Sequence, residues 1–249
     1  MIADGIVHGD STDLLPKLPA GSVDLFFTSP PYADARAYSR IHPDHYVDWF
    51  LPYAEKMLAA STETGSLETY IWAKPNAVPG KFGPRTKDAF EYVYHFARGT
   101  HPYFDLDAVR VPYRADAAEI ARRAQDANGR RNTAAGFGRD RTKTYLRGGA
   151  DPGNVISVPQ TYNQHRGVAH TAAMPEGLAE FFIRCASPKG GLVVDPFAGS
   201  GTTVAVARRY DRQAIGFELH SEFVAEARRR LAEGSENDDP PATLHAVGS

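Results

Sequence analysis

Apolar positions along this chain recur in two distinct spacings. Three short runs have the length of buried strands: Val23-Asp24-Leu25-Phe26-Phe27, Gly191-Leu192-Val193-Val194-Asp195 and Ala214-Ile215-Gly216-Phe217-Glu218. Elsewhere the spacing is helical. Leu178, Phe181, Phe182 and Cys185 fall at i, i+3, i+4 and i+7, a core-facing stripe, and Pro175 suits the start of that helix. Asp44 to Leu58 gathers Tyr46, Trp49, Phe50, Tyr53 and Met57 on one apolar side, with Pro52 expected to bend it. Thr202 to Arg209 reads as a helix. Ser221 to Glu233 reads as another, with Phe223, Ala227 and Leu231 on one face and Gly234 at its end. No internal repeat is present.

Two of the runs end in loops that can carry chemistry. The second continues as Asp195-Pro196-Phe197-Ala198-Gly199-Ser200-Gly201-Thr202-Thr203. Glycines at a strand-to-helix turn let a ligand approach the backbone, and the helix N-terminus favours an anionic group. Glu218 stands 23 residues beyond Asp195, close to the ~20 expected of an acid that grips ribose hydroxyls. A dinucleotide oxidoreductase is the competing reading. Its fingerprint needs a third glycine, but here Gly201 is followed by Thr202-Thr203-Val204. The first run ends in Thr28-Ser29-Pro30-Pro31-Tyr32, which taken alone also fits a proline-rich turn closing a strand.

Together, and in this order, the two loops resemble those of DNA amino-methyltransferases of the beta arrangement. In that family the catalytic motif precedes the target-recognition region and the cofactor loop comes last. The resemblance runs from about Gly5 to about Leu231. It implies an α/β, doubly wound, Rossmann-like and mostly parallel sheet of permuted order, with S-adenosylmethionine as methyl donor and double-stranded DNA as substrate. A restriction nuclease acting on the same site is a candidate partner.

The chemistry explains the residue types. An exocyclic base amine is a poor nucleophile because its lone pair is delocalised into the ring. Two acceptors gripping its hydrogens pull the nitrogen toward a tetrahedral shape, so positioning and preorganised dipoles supply most of the catalysis. On this resemblance Ser29, Pro30, Pro31 and Tyr32 are the catalytic residues. Ser29 offers a side-chain oxygen and Pro30 its carbonyl, which two successive prolines hold rigid. Tyr32 offers a flat face for an extruded base, and base–aromatic stacking returns roughly 1–3 kcal/mol of the cost of extrusion. The serine version of this motif is typical of cytosine N4 enzymes. Aspartate or asparagine in the place of Ser29 is commoner in adenine N6 enzymes, which stay as the alternative.

Further positions carry over one at a time. Asp10, in Gly9-Asp10, matches an acid that reaches the cofactor adenine, and equally suits a helix N-cap before Ser11-Thr12-Asp13. Thr28 joins the cofactor set, as do His170, Thr171 and Met174 of the segment that contacts the methionine part. The family more often has proline at the position of Thr171. Asp195, Phe197, Gly199, Gly201, Thr202 and Glu218 complete the cofactor site. Trp72-Ala73-Lys74-Pro75-Asn76, Pro79 and Glu91 also echo the family, in an architectural role.

Composition agrees. The 249 residues are 42% hydrophobic and 23% charged, enough for one substantial core with a smaller lobe. A single cysteine excludes an internal disulfide and argues against a thiolate metal site, and no metal is expected. Without an 18-residue apolar run or a signal peptide, a cytoplasmic protein is expected. The net charge of −2 conceals a division. Between Arg110 and Arg147 ten basic residues face four acidic ones, a local +6 against −8 over the rest. A basic lobe on an acidic body suits phosphate tracking, and Arg130, Arg131, Arg139, Arg141 and Lys143 are the candidate DNA contacts. The alternative is a solvated, partly disordered insert. The expected organisation is a catalytic domain over 1–98 and 154–234, a target-recognition insert over 99–153 and a flexible tail over 235–249.

One departure from the family stands out. Only Ala59 to Thr69, 11 residues, separate the helix ending at Leu58 from Tyr70. The family places a strand and a helix there, and a crossover alone needs about a dozen residues. Both elements are expected to be absent, which leaves open a shortened relative that binds DNA or cofactor without catalysis. A small-molecule methyltransferase would not need the basic insert.

Overall fold

A computed structural model describes residues 5–33, 41–62, 67–77, 86–96, 102–113, 119, 148–160, 174–233 and 245–246. Its frame is a four-stranded sheet in the order β1-β7-β6-β2, parallel throughout. Its strands are β1 (Gly5–His8), β2 (Leu25–Phe26), β6 (Leu192–Asp195) and β7 (Gln213–Glu218). Successive side chains of a strand point to opposite faces, and the two faces are buried under different cover. Val193 and Ala214 turn toward α3 (Glu176–Ala186), α4 (Thr202–Arg209) and α5 (Ser221–Glu233). Val194, Ile215 and Phe217 turn toward α1 (Ser11–Leu14) and α2 (Tyr46–Ala60). The doubly wound α/β expectation is met, and the runs read as strands and helices lie where they were expected. Pro52 sits inside α2, whose start is a 3-10 turn over Pro43–His45.

A second sheet has the order β4-β3-β5-β8. In it β3 (Leu67–Ala73) runs parallel to β5 (Val155–Ser157) and antiparallel to β4 (Phe90–Phe96). The last strand, β8 (His245–Ala246), pairs antiparallel with β5, so these two residues of the expected free tail are attached to the sheet. The division into two sheets follows from the short connection after α2. Beyond β2 the next pairing is the isolated bridge Val23↔Ser61, and the next described strand is β3. Among the described residues no further strand or helix stands between α2 and β3.

Helix α3 binds the two sheets into one core. Its stripe residues Leu178, Phe181, Phe182 and Cys185 are all buried. Phe182 stacks on Phe27 beyond β2 at 5.3 Å and meets Tyr70 of β3 edge-on at 5.0 Å. On β4 the alternation places Phe90, Tyr92, Tyr94 and Phe96 on an exposed face, while Glu91, Val93 and His95 turn inward.

Candidate functional site

Because the strands of the first sheet are parallel, their carboxyl ends converge on one edge, the place where open α/β sheets bind ligands. A cavity of about 350 Å³ lies there. The β2 end contributes Ser29, Pro30, Pro31 and Tyr32, and the β6 end Pro196, Phe197 and Gly199. From β7 come Phe217 and Glu218, and from the β1 end Asp10 and Ser11. Two loops 167 residues apart in sequence thus share one cavity.

Asp195 holds them together from behind the wall. Its carboxylate, 3% exposed, accepts from the Thr28 hydroxyl at 2.6 Å, the Thr203 hydroxyl at 2.7 Å and the Phe197 amide at 3.0 Å. Burial pushes its carboxyl pKa up, and these three donors oppose that shift. Thr28 and Asp195, both expected at the cofactor, thereby set the cavity's shape and do not line it.

The glycine turn binds an anion from within the protein. The Gly199 amide donates to Glu218 Oε2 at 2.9 Å and the His220 amide to Oε1 at 2.8 Å. Gly201 caps α4 in the left-handed region at φ 79°, and a Cβ there would stand 3.0 Å from that of Ala227. It serves helix packing and lies off the cavity. Thr202 is likewise not among the residues lining the cavity, and its hydroxyl accepts from Arg230 on α5 at 2.8 Å. Met174 packs against the core cluster. Asp10 does cap α1, its Oδ1 accepting from the Thr12 amide at 2.7 Å, while also lining the cavity. His170, Thr171, Arg130, Arg131, Arg139, Arg141 and Lys143 lie outside the described residues.

Helix periodicity hid part of the wall. Trp49 and Tyr53 read only as part of the apolar side of α2, and they line the cavity beside Phe197, with ring centroids 5.8 and 5.0 Å from it. The density of aromatics on α2 was the available signal, since a plain core stripe would be mostly aliphatic. Trp72 and Lys74 are architectural as expected, with the indole N–H donating to the Val158 carbonyl at 2.7 Å.

The donor set fits a nucleoside-bearing, positively charged cofactor such as S-adenosylmethionine. A carboxylate offers about four acceptor sites, and Glu218 uses two on backbone amides while standing 7% exposed in the cavity wall. Two remain for ribose hydroxyls, and the Phe197, Trp49 and Tyr53 rings supply flat apolar surface for an adenine.

Comparison with known proteins agrees. Residues 66–229 match the family model described as DNA methylase. Type II methyltransferase M.PvuII of Proteus hauseri is 26% identical across 93% of this chain and 84% of its own length. The solved PvuII DNA methyltransferase (cytosine-N4-specific) superposes with a TM-score of 0.67 at 25% identity, covering 92% of this chain and 87% of that one. DNA adenine methyltransferase YhdJ of Escherichia coli K12 is 28% identical over 92% of this chain and 83% of its own. The M1.HpyAVI–SAM complex shares the fold, with a TM-score of 0.55 at 16% identity over 91% of this chain and 98% of that one.

Proposed function

This chain belongs to the DNA methylase family of amino-methyltransferases, and on that premise we propose that it methylates the exocyclic N4 of cytosine in DNA. Its cofactor is S-adenosylmethionine. The observation that carries the reading is the single cavity lined both by Ser29 to Tyr32 and by Phe197, Gly199 and Glu218. Cytosine is favoured by Ser29 itself and by the likeness to a cytosine-N4-specific relative. Adenine N6 is the second reading, supported by the likeness to YhdJ.

When bound, the cofactor supplies an electrophilic sulfonium methyl. Glu218 would hold the ribose hydroxyls, and Phe197 with Trp49 and Tyr53 the adenine. Ser29 and the Pro30 carbonyl accept the two amino hydrogens of the extruded base, and Pro31 keeps that carbonyl free of local turn bonding. Tyr32 gives the base a face to stack on. Arg130, Arg131, Arg139, Arg141 and Lys143 track the phosphates. A restriction nuclease with the same recognition site is the proposed counterpart, and the cytoplasm the proposed location. Among the described residues no helix is long and apolar enough to cross a membrane.

Incubation with labelled S-adenosylmethionine and unmethylated mixed-sequence DNA, followed by nucleoside analysis, should yield N4-methylcytosine. N6-methyladenine would move the assignment to the second reading, and no labelled nucleoside would favour a non-catalytic relative. Ser29→Ala should keep the fold and lower the rate by about 10²–10³, the usual loss for one preorganised polar group.

A further inference from the structure

Tyr32 is tethered at both ends. Two prolines stiffen the backbone before it, and its hydroxyl donates to Glu91 Oε2 at 2.8 Å, across 59 residues of sequence. The ring itself is 37% exposed, so burial does not account for how it stands. Glu91 is in turn fixed. Its Oε1 accepts from Lys74 Nζ, and Lys74 is 8% exposed. The same ammonium lies 4.9 Å from the centre of the Trp72 ring, which is anchored to Val158. A buried lysine cannot give up its counter-charge cheaply, so the carboxylate keeps its place and imposes it on the phenol. A tyrosine side chain has only two χ angles. Holding the hydroxyl oxygen, which lies on the χ2 axis, fixes χ1 and therefore where the ring stands.

We propose that Glu91 is a positioning residue for methyl transfer, presenting the Tyr32 ring as a preset platform for the target base. The proposal rests on the reading of Tyr32 as a stacking face. Its physical content is that the β3–β4 pair, outside the cofactor half of the site, controls the orientation step. Preorganisation of this kind acts on the chemical step, because a ring that must first find its orientation delays the productive geometry.

The test measures kcat and the KM values for S-adenosylmethionine and mixed-sequence DNA, with circular dichroism as a check on folding. Variants are Tyr32→Phe, Glu91→Ala, Glu91→Gln, Tyr32→Ala and the double Tyr32→Phe/Glu91→Ala. Loss of one hydrogen bond to a charged group corresponds to roughly a tenfold or larger fall. We expect kcat to drop about tenfold in Tyr32→Phe and in Glu91→Ala at unchanged cofactor KM. The double variant should be no slower than either, since both changes cut the same contact. Glu91→Gln, whose amide oxygen still accepts the phenol proton, should recover most of the rate. Should Glu91→Ala fail to fold with Lys74 left unpaired, Tyr32→Phe carries the test alone. Tyr32→Phe at wild-type rate beside an impaired Tyr32→Ala would overturn the positioning role and leave the stacking face standing, as would multiplied losses in the double variant. Tyr32→Ala at wild-type rate would sink both.

Discussion

At Asp195 three donors from two loops converge on one carboxylate that is closed to water. Its removal leaves the Thr28 hydroxyl and the Phe197 amide without their acceptor and Thr203 with only the Phe27 carbonyl at 3.4 Å, and each unsatisfied group costs about 1–3 kcal/mol. Asp195→Ala is therefore expected to lower unfolding stability by about 3 kcal/mol or more in urea titration and to abolish cofactor binding with it. A fully stable variant would show that the three donors find other acceptors. Glu218 works differently. It lines the cavity while accepting from the Gly199 and His220 amides, so Glu218→Ala is expected to lower cofactor affinity as well as stability. Two carboxylates 23 positions apart thus do different work, separated by which side of the wall each faces.

Among the elements, β7 and the turn leading to α4 approach closely. A Cβ on Gly216 would stand 2.7 Å from the Ala198 Cβ, 2.8 Å from Ile6 Cδ1 and 3.0 Å from Val204 Cγ2. Gly216→Ala must push the glycine turn away from the strand, at a cost of about 1–3 kcal/mol for overpacking. Cofactor affinity should fall with it, because Gly199 and Glu218 lose their register, and a parallel calorimetric and thermal-melt measurement checks both. The helices are clasped by Glu176 at the start of α3, which accepts from Arg209 of α4 at 2.8 Å and from Arg230 of α5. Burial raises the Glu176 carboxyl, but the two guanidiniums outweigh it and hold the pKa below the ordinary 4.5. A depressed carboxylate contributes stability above its unfolded value, and that contribution is lost as pH falls through the folded one. Glu176→Gln should cost about 1 kcal/mol at neutral pH, and the gap to wild type should close in melts below about pH 4.5.

For the molecule as a whole, charge division is the property that bears on DNA. The stretch Arg139-Asp140-Arg141-Thr142-Lys143 sits inside the basic segment. Neutralising its three cations together should weaken DNA binding and flatten its salt dependence by up to about three phosphate equivalents, at unchanged cofactor affinity. Equal loss on all DNA sequences would mark backbone contacts, whereas an extra ~1–3 kcal/mol at one site would mark a base read in the groove. A salt slope identical to wild type would remove this stretch from the DNA surface.

Strands β2, β6 and β7, helices α2 to α5 and the two motif loops were legible in the sequence, whereas the second sheet was not. The legible elements depend on periodicity and chain length, and both are local quantities. What the sequence could not assign was the side on which each motif residue lies. Thr202, Gly201 and Met174 belong to a motif and face the core or a helix neighbour, because a side chain's direction is settled by what packs beside it. Trp49 and Tyr53, read only as an apolar helix side, form the cavity wall, since their partner Phe197 comes from a distant part of the chain. The hydroxyl of Tyr32 finds Glu91 only once β4 has paired with β3 and brought both to the cavity mouth. Contacts between distant segments are products of the packed whole, and no local pattern encodes them.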